Sequence, residues 1–556
     1  MRMSTDEDRD EERALETIAA AAEAGMTVFD TARAYGDNER LLADGLRRAK
    51  ADAAARIVTK GGMSRAGGGW IPNGRAKAIR ADCEASLAAL DGLAIDLYLI
   101  HTPDPRTPWG TSVRALTRLA DEGLVRHVGL SNVNRPQLDE ALELAPITAV
   151  QVALSRYDDQ ALRGGVVDRC VEQGIAVIAH SPLGGPRRAG RLARRQELVE
   201  VAEARGTTPW EVALAWLLEL SPAVLAIPGA RRPETARSAA RAATLRLERD
   251  DKALLARAFG EPHPAGRKRR RPTDDAEVVL VMGIPGAGKS RVADEYVARG
   301  YVRLNRDERG GTLRELAGAL DQELSSGTRR FVLDNTYLTR ASRSYVLDVA
   351  SRHGIPTRCI WLDTPLAQAQ VNLVERLLEH FGSLPSPEEL RAAARREPGV
   401  HAPTSQMRAL RELEPPAADE GFASVEQTPF TRSAGSGRAG VFVAAAAFRE
   451  SDWKGALEQG DRRAHHLVFD WKPGGAAEEL AEVASLLAAE VSGPVESALC
   501  PHPAGPPTCW CRPPLPGLPL AFAREHGVDP ARSSLVGTAP AHRTLATTLG
   551  ARYVQV

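Results

Sequence analysis

The 556-residue sequence contains no uninterrupted run of about 18 apolar residues, the minimum for a membrane-spanning helix. Its N-terminus is acidic, whereas a secretory signal peptide begins with basic residues followed by an apolar stretch. Basic and acidic side chains number 72 each, so the net charge neither favours nor excludes a nucleic-acid partner. These absences predict a soluble cytoplasmic protein that does not act on a membrane.

Cysteine is also scarce, and its six residues fall into two groups. Three are isolated in the sequence and are expected to be buried and inert: Cys83, Cys170 and Cys359. The other three lie close together with a histidine near the C-terminus: Cys500, His502, Cys509 and Cys511. In a cytosolic chain such a cluster favours a metal site over disulfides.

The chain is too long for a single hydrophobic core, so we expect several domains. A stretch rich in proline and charge, EPHPAGRKRRRPTDDAE, interrupts it, and from about residue 438 the composition becomes rich in alanine. The basic run Arg267–Arg271 fits a solvated linker better than the alternative, a contact with nucleic-acid phosphates. The pattern predicts an α/β barrel at 1–258, a linker at 259–276, a P-loop α/β domain at 277–435 and a small Rossmann-like domain at 436–556.

Seven short apolar segments alternate with longer amphipathic stretches in the first 250 residues: TVFDTA, RIVTKGG, DLYLIHTP, VRHVGLSNV, TAVQVALS, GIAVIAHSPL and AVLAIPGA. This alternation predicts a (β/α)8 TIM-type barrel, in which the active site collects at the carboxyl ends of the strands. Because such a barrel closes with eight strands, the pattern lacks one strand, the first.

Four polar residues of this region lie at or just after the ends of apolar segments: Asp30, Tyr35, Lys60 and His101. Tyrosine is a weak acid at neutral pH unless a nearby cation and a histidine favour proton donation, and a carboxylate can hold that cation in place. Singly, each residue is more often part of a core or an ion pair. Together, their order and contexts resemble the aldo-keto reductase family.

The resemblance implies reduction of a small-molecule carbonyl group, with Tyr35 as proton donor, Lys60 and Asp30 as the pair that tunes it, and His101 as the residue that orients the carbonyl. It also implies that the family's first strand lies before Met1, so an open seam would weaken the site.

The family's cofactor is the nicotinamide dinucleotide, and the resemblance extends to its binding segments. GLSNV and the following strand would hold the nicotinamide carboxamide, and two later loops would cover the pyrophosphate and adenosine. A guanidinium pairing with a 2′-phosphate would favour NADPH over NADH. The residues concerned are Ser131, Asn132, Gln151, Ser181, Leu183, Gly184, Ile227, Gly229 and Arg231 or Arg232.

A glycine-rich loop follows an apolar strand and precedes a helix in VVLVMGIPGAGKSRVADEYV. Three glycines, Gly283, Gly286 and Gly288, let backbone N–H groups surround phosphate oxygens. Lys289 would reach the β and γ phosphates, and Ser290 would bind Mg²⁺ at the helix N-terminus. The motif predicts binding of ATP with Mg²⁺.

The motifs NRD and DNT, followed by arginine-bearing helices, resemble the kinase domain of polynucleotide kinase. The resemblance implies that Asp307 is the general base and Arg376 the lid arginine on the transferred phosphate. It further implies that DNT, at residues 334–336, supports Mg²⁺ or the base, and that Arg340 and Arg343 hold the acceptor. A 5′-hydroxyl end of DNA or RNA is the first expected acceptor, and a small-molecule alcohol is the alternative.

Three thiolates and an imidazole in the cysteine–histidine cluster are enough for a tetrahedral Zn²⁺ site, in a segment with few apolar residues. This segment, together with the C-terminal residues after it, resembles haloacid dehalogenase-like phosphatases of the histidinol-phosphate and heptose-bisphosphate type. In GVFVAAAAF, however, Ala444 and Ala446 stand where that superfamily has its catalytic aspartates. The resemblance therefore implies a pseudophosphatase with a structural zinc.

Two functional classes remain open. One is a multifunctional enzyme that combines carbonyl reduction with phosphorylation of a hydroxyl group. The other is an ATP-gated scaffold or sensor whose reductase and phosphatase domains are inactive.

Overall fold

The computed structural model describes residues 10–65, 68–259, 276–397, 399–429 and 436–556. The chain forms two compact units, Met1–Gly266 and Arg267–Val556. The predicted linker falls almost entirely outside the described residues, as does its basic run. Within the described ranges, no α-helix is both long and apolar enough to span a membrane.

The first unit alternates strands with helices. Its strands are β1 (Val28–Asp30), β2 (Arg56–Gly61), β3 (Met63–Ser64), β4 (Ile71–Pro72), β5 (Leu97–Ile100), β6 (His127–Ser131), β7 (Ile147–Ala153), β8 (Ala176–His180) and β9 (Val224–Ile227). Its α-helices are α1 (Glu11–Glu23), α2 (Asn38–Arg48), α3 (Ala76–Leu90), α4 (Trp109–Asp121), α5 (Arg135–Leu142), α6 (Gln160–Arg163), α7 (Val166–Glu172), α8 (Pro186–Leu192), α9 (Gln196–Ala204), α10 (Pro209–Leu218), α11 (Pro233–Ala242) and α12 (Arg249–Phe259).

Seven of these strands form one parallel sheet in the order β1-β2-β5-β6-β7-β8-β9, and β3 pairs with β4 in a small antiparallel hairpin. The predicted (β/α) barrel architecture is confirmed, with β1 and β9 as the edge strands of the sheet among the described residues. Helix α1 contacts both α2 and α11, which follow those two edge strands. The outer layer of helices is therefore continuous where the sheet is open.

The second unit contains two parallel five-stranded sheets. The first has β10 (Glu277–Met282), β11 (Val302–Leu304), β12 (Arg330–Asp334), β13 (Thr357–Leu362) and β14 (Ser424–Thr428) in the order β11-β12-β10-β13-β14. Every residue of β10 is buried, as expected for the central strand of a parallel sheet. Its helices are α13 (Lys289–Val297), α14 (Arg306–Arg309), α15 (Leu313–Ser325), α16 (Arg340–Arg352), α17 (Leu366–Phe381), α18 (Pro387–Ala393) and α19 (Pro403–Glu412).

The other sheet of this unit has β15 (Gly440–Ala444), β16 (His465–Trp471), β17 (Val495–Cys500), β18 (Ser534–Gly537) and β19 (Arg552–Gln555) in the order β17-β16-β15-β18-β19. This order, with the first strand at the centre, is that of a doubly wound sheet. Its helices are α20 (Trp453–Leu457), α21 (Ala481–Ala488), α22 (Gly517–His526) and α23 (Pro540–Leu549). One hydrophobic core joins these elements to α17 and α18.

Arg343 lies inside the second unit and does not reach solvent. Its side chain is 0% exposed, and its guanidinium donates to both carboxylate oxygens of Glu420 at 2.8 and 2.6 Å. It also donates to the carbonyl oxygens of Tyr337 and Glu414 at 3.1 and 2.9 Å. The prediction that Arg343 holds an acceptor is wrong, because its donors tie α16 to the segments before β14. Arg340 bonds the carboxylate of Asp419 at 2.9 Å.

The pair can be tested with Glu420→Ala, which leaves the Arg343 charge buried without its carboxylate. We expect the free energy of opening of β10 and β12 to fall by roughly 3–5 kcal/mol, the usual cost of breaking a buried ion pair. Amide hydrogen exchange of the full chain measures this change. The control Asp419→Ala removes an exposed carboxylate and should cost roughly 0–1 kcal/mol. Equal losses in both variants would contradict a structural role for the buried pair.

Candidate functional site

The four polar residues of the barrel converge at the carboxyl ends of the first parallel strands. Asp30 is the last residue of β1, Lys60 is the penultimate residue of β2, and His101 directly follows β5. Tyr35 ends a single 3₁₀ turn over Arg33–Tyr35. Because β1, β2 and β5 are adjacent and parallel, their ends bring these side chains together.

Lys60 and Asp30 form a buried ion pair. The Lys60 ammonium donates to the two Asp30 carboxylate oxygens at 2.6 and 2.7 Å and to the Thr31 carbonyl oxygen at 2.7 Å. The Gln151 amide also donates to the Asp30 carboxylate, at 2.7 Å. Burial lowers the pKa of Lys60, and the Asp30 carboxylate opposes that shift. The pair therefore holds a cation at a fixed position inside the barrel.

Tyr35 and His101 lie beside this cation. The Lys60 Nζ atom is 5.7 Å from the centre of the Tyr35 ring, and the centres of the Tyr35 and His101 rings are 5.8 Å apart. Burial, followed by the charge of Lys60, lowers the pKa of His101 to about 3, so its imidazole is neutral at physiological pH. The His101 Nδ1 atom is buried and has no hydrogen-bond partner among the described residues.

Asn132 links the ends of three strands. Its amide group donates to the His101 carbonyl oxygen at 3.0 Å and to the Ser131 hydroxyl at 3.1 Å. Its carboxamide oxygen lies 3.0 Å from Nε2 of His180, the last residue of β8. Sequence reasoning missed His180, although its position just before the predicted Ser181 loop was a usable signal. Burial lowers the pKa of His180, so a neutral ring that donates to Asn132 is favoured.

A cavity of about 640 Å³ opens above these side chains. The residues predicted to bind the dinucleotide line it, except that Gly185 takes the place of its neighbour Gly184 among the described wall residues. Gly184 is required for another reason, since its φ is +78° and an added Cβ would lie 2.5 Å from the Tyr157 ring. The lining residues include Asp30, Tyr35, His101, Ser131, Asn132, Gln151, Ser181, Leu183, Ile227, Gly229, Arg231 and Arg232.

Trp70 is a second residue that sequence reasoning missed. It lies between β3 and β4, its side chain is 43% exposed, and its ring meets those of Tyr35 and His101 edge-on with centres 6.1 and 5.8 Å away. An apolar ring beside a proton donor limits the access of water to that donor. A lone tryptophan in a glycine-rich loop gave no sequence signal for this position.

The glycine-rich loop between β10 and α13 adopts a backbone that only glycine accommodates without strain. The φ angles of Gly283, Gly286 and Gly288 are +155°, +86° and +93°. A Cβ on Gly286 would lie 2.3 Å from the Ala369 carbonyl oxygen. Lys289 folds over the loop and donates to the carbonyl oxygens of Gly283 and Ile284, at 3.0 Å each. Burial lowers the pKa of Lys289 to about 8.

The NRD and DNT motifs are joined by hydrogen bonds. The Asn305 amide donates to the Asp334 carbonyl oxygen at 2.7 Å and accepts from the Asp307 backbone N–H at 2.6 Å. The Asp334 carboxylate is bound by the guanidinium of Arg303 at 2.5 Å, so it is engaged in an ion pair. Asp307 remains half exposed at the start of α14. Of the two aspartates, Asp307 is therefore the one that an incoming molecule can reach.

Arg376 and His401 complete this site. The Arg376 guanidinium bonds the Gly399 carbonyl oxygen, and burial lowers the pKa of Arg376, opposed by the charge of Asp307. Burial, followed by the charges of Arg376 and Lys289, lowers the pKa of His401 to about 4. Lys289, Arg376 and His401 therefore lie within electrostatic range of one another. His401 had no motif around it, and sequence reasoning missed it. Ser290 lies in the first turn of α13 and is exposed.

Cys500, His502, Cys509 and Cys511, hereafter the clip, bring their ligand atoms within 4.8 Å of one another. Cys500 Sγ lies 3.7 Å from Cys509 Sγ, and His502 Nδ1 lies 3.1 Å from Cys511 Sγ. Ligands at the edges of a tetrahedral zinc site are about 3.5–3.8 Å apart. Hydrogen bonds among the three thiols lower the pKa of Cys509 and raise the pKa values of Cys500 and Cys511. The donor set fits Zn²⁺, and the four ligand atoms are close enough to share one ion, although their two shortest separations, 3.1 and 3.3 Å, are below the tetrahedral value.

The isolated cysteines are buried, as expected, and burial raises the pKa of each to about 12: Cys83, Cys170 and Cys359. Ala444, the last residue of β15, is buried, and Ala446 follows it in a 3₁₀ turn. The end of the central strand thus carries methyl groups only.

Two family models match this chain, and the matched residues include most strands of the barrel sheet and of the β10–β14 sheet. Residues 1–258 match a model described as the aldo/keto reductase family, and residues 278–397 match one described as an AAA domain. The second match supports a P-loop domain with a kinase-like fold.

An uncharacterized oxidoreductase of Schizosaccharomyces pombe is 31% identical over 246 residues, which cover 44% of this chain and 78% of that protein. Aldo-keto reductase str7 of Strobilurus tenacellus is 28% identical over 291 residues, which cover 47% of this chain and 85% of that protein. A solved aldo/keto reductase from Klebsiella pneumoniae, in complex with NADP and acetate, is 26% identical with a TM-score of 0.40 and covers 46% of this chain and 87% of that one.

The neutral state of His101 predicts a pH effect on stability. Its pKa of about 3 in the folded chain lies below the ordinary value of 6.5, so the unfolded chain binds the proton first as pH falls. When the pH falls from 7 to 4.5, we expect the free energy of unfolding of wild type to decrease by roughly 2–3 kcal/mol relative to that of His101→Gln. Pulse proteolysis of the full chain in urea measures this difference for the first unit. His127→Gln, which replaces an exposed histidine of β6, should show no such dependence. Parallel pH profiles for wild type and His101→Gln would contradict the neutral imidazole.

Proposed function

Because the chain belongs to the aldo/keto reductase family through residues 1–258, we propose that its first unit reduces the carbonyl group of a small molecule with NADPH. The observation that carries the proposal is the buried Lys60–Asp30 pair, which holds a cation beside Tyr35 at the base of a cavity of about 640 Å³. NADPH, when bound, supplies the hydride that adds to the carbonyl carbon.

Tyr35 supplies the proton for this reaction. As the carbonyl oxygen gains charge, the Tyr35 hydroxyl transfers its proton to that oxygen and becomes a phenolate. The Lys60 charge stabilises the phenolate, while neutral His101 donates a hydrogen bond that orients the carbonyl oxygen. Carbon gains a hydride and oxygen gains a proton, so the product is an alcohol.

Cofactor preference rests on Arg231 and Arg232. Both line the cavity and both are exposed at its wall, where guanidinium groups suit a phosphate bidentately. Their position supports NADPH over NADH. Ser131, Asn132 and Gln151 also line the cavity, and the Gln151 amide bonds the Asp30 carboxylate, which supports placing the nicotinamide ring here, beside Tyr35.

Tyr35→Phe removes the proton donor and keeps the ring. We expect kcat/KM for carbonyl reduction to fall by about 10²–10⁴ with little change in the Kd for NADPH. Steady-state oxidation of NADPH and of NADH with an aldehyde panel, together with fluorescence titration of NADPH, measures both quantities. Retained turnover in Tyr35→Phe would refute the role of Tyr35, and equal kcat/KM with the two cofactors would refute that of Arg231 and Arg232.

We propose that the P-loop domain transfers the γ-phosphate of ATP to a hydroxyl group, first of all the 5′-hydroxyl end of DNA or RNA. Lys289 at the loop, half-exposed Asp307 and Arg376 influence one another electrostatically, which supports a single site for donor and acceptor. In the reaction Asp307 takes the hydroxyl proton, the oxygen bonds the γ-phosphorus, and ADP leaves. Lys289 and Arg376 balance the charge on the transferred group.

Asp307→Asn tests this assignment. We expect transfer of labelled γ-phosphate to fall by about 10²–10⁴ while the affinity for ATP is kept, because only the base is lost. The assay uses 5′-hydroxyl DNA and RNA oligonucleotides and small alcohols as acceptors. Glu308→Gln, the next residue and also half exposed, is the control and should transfer phosphate like wild type. No transfer by wild-type protein that binds ATP would favour the nucleotide-gated scaffold.

We propose that the clip binds a structural Zn²⁺ and that residues 436–556 form a pseudophosphatase of the haloacid dehalogenase-like type. The three sulfurs and one nitrogen, with their spacing of 3.1–3.7 Å, support zinc as the ion. The alanines at the end of β15 offer neither a nucleophile nor a metal ligand, so phosphoryl transfer cannot proceed there.

A further inference from the structure

Helix α17 contacts the P-loop with one face and the core of the β15–β19 sheet with another. Asn372 and Arg376, four residues apart, share one face: the Asn372 amide donates to the Gly286 carbonyl oxygen of the P-loop at 2.7 Å. The other face presents Val371, Val374 and Leu378, which pack in the core that contains the β15–β19 sheet. The helix that carries Arg376 therefore packs in the same core as the clip cysteines.

The clip itself touches the segment beside Arg376. Trp510, between Cys509 and Cys511, is 2% exposed, and its indole N–H donates to the His401 carbonyl oxygen at 2.9 Å. The backbone at Trp510 is fixed as well, because its carbonyl oxygen accepts from the Gly517 N–H at the start of α22. The residue cannot shift without disturbing the clip.

The segment that Trp510 holds forms part of the phosphoryl-transfer site. Gly399 accepts from the Arg376 guanidinium, and the charges of Arg376 and Lys289 help to lower the pKa of His401. Five residues later, the buried Gln406 side chain donates to the Pro285 carbonyl oxygen of the P-loop at 2.9 Å. Residues 399–406 thus run from the clip to the loop that binds phosphate.

Resting on the kinase and zinc assignments above, we propose that Trp510 is a positioning residue for phosphoryl transfer and that the metal-filled clip holds it in place. Phosphoryl transfer requires positioning above all, and a displacement of about 1 Å can cost about a hundredfold in rate. An ordered clip holds the Trp510 indole in place, and its hydrogen bond holds the backbone at His401. The nearby Gly399 carbonyl oxygen then keeps the Arg376 guanidinium in position. Zinc binding then raises kcat for phosphoryl transfer by ordering the clip, although the ion does not contact the reacting groups.

Trp510→Phe keeps an aromatic ring in the core and removes the indole donor. We expect zinc content of one per chain, an unchanged KM for ATP and a kcat for phosphoryl transfer reduced about tenfold. The matched control is Trp471→Phe, whose indole donates at 2.8 Å to the His502 carbonyl oxygen and not, among the described residues, to the segment 399–406. Trp471→Phe should keep zinc and transfer phosphate within about twofold of wild type. Equal kcat values in wild type and Trp510→Phe would overturn the proposal.

Amide hydrogen exchange tests the positioning without any acceptor. In the full chain, Trp510→Phe and removal of zinc by a chelator should each speed exchange several-fold in α17 and in residues 399–406. Exchange in α15, which belongs to a separate core of the same unit, should not change. If wild type phosphorylates none of the acceptors, the kinase assignment fails, and this experiment alone decides whether the clip orders the site. Unchanged exchange in α17 and 399–406 would overturn the positioning.

Discussion

The three large sheets consist of parallel strands, and this one constraint places the candidate sites. Parallel strands end along one edge of their sheet, so side chains far apart in sequence meet there. Asp30 ends β1 and His101 follows β5 at the edge of the barrel sheet, Gly283 follows β10 in the P-loop sheet, and Cys500 ends β17 in the third sheet. The chemistry at each edge then depends on which residue types the strand ends carry.

Buried charge is the second recurring feature, and two buried cations of the described ranges, Lys60 and Arg343, differ in what surrounds them. The Lys60 ammonium donates to the Asp30 carboxylate and to the Thr31 carbonyl oxygen, and it also lies 5.7 Å from the centre of the Tyr35 ring, which lines the cavity. Arg343 is surrounded by a carboxylate and carbonyl oxygens, and its side chain is 0% exposed. A buried charge costs several kcal/mol unless it is paired, so each set of partners offsets that cost, and of these two cations Lys60 is the one beside the Tyr35 ring.

The order of strands and helices and the groups at the strand ends could be predicted from sequence, because both depend on local periodicity and short motifs. Asp30, Lys60 and the clip are cases in which spacing along the chain implied proximity. Arg343 could not be placed, since periodicity does not say which arginine of a helix faces the core. His401 was missed for a related reason: its role depends on contacts with residues distant in sequence, and no motif surrounds it.

The shared core of the second unit gives the β15–β19 sheet, whose central strand ends in Ala444, a part in stabilising the P-loop domain. Val371, Val374, Leu377 and Leu378 of α17 are each at most 2% exposed, and they are covered by the β15–β19 part. Burying a large apolar side chain stabilises by about 1.5–3 kcal/mol, so exposing these four would cost roughly 6–12 kcal/mol, comparable to the whole stability of a domain. A stable α17, and hence a fixed P-loop, therefore depends on that apolar surface, and the alanine at the end of β15 does not alter this dependence.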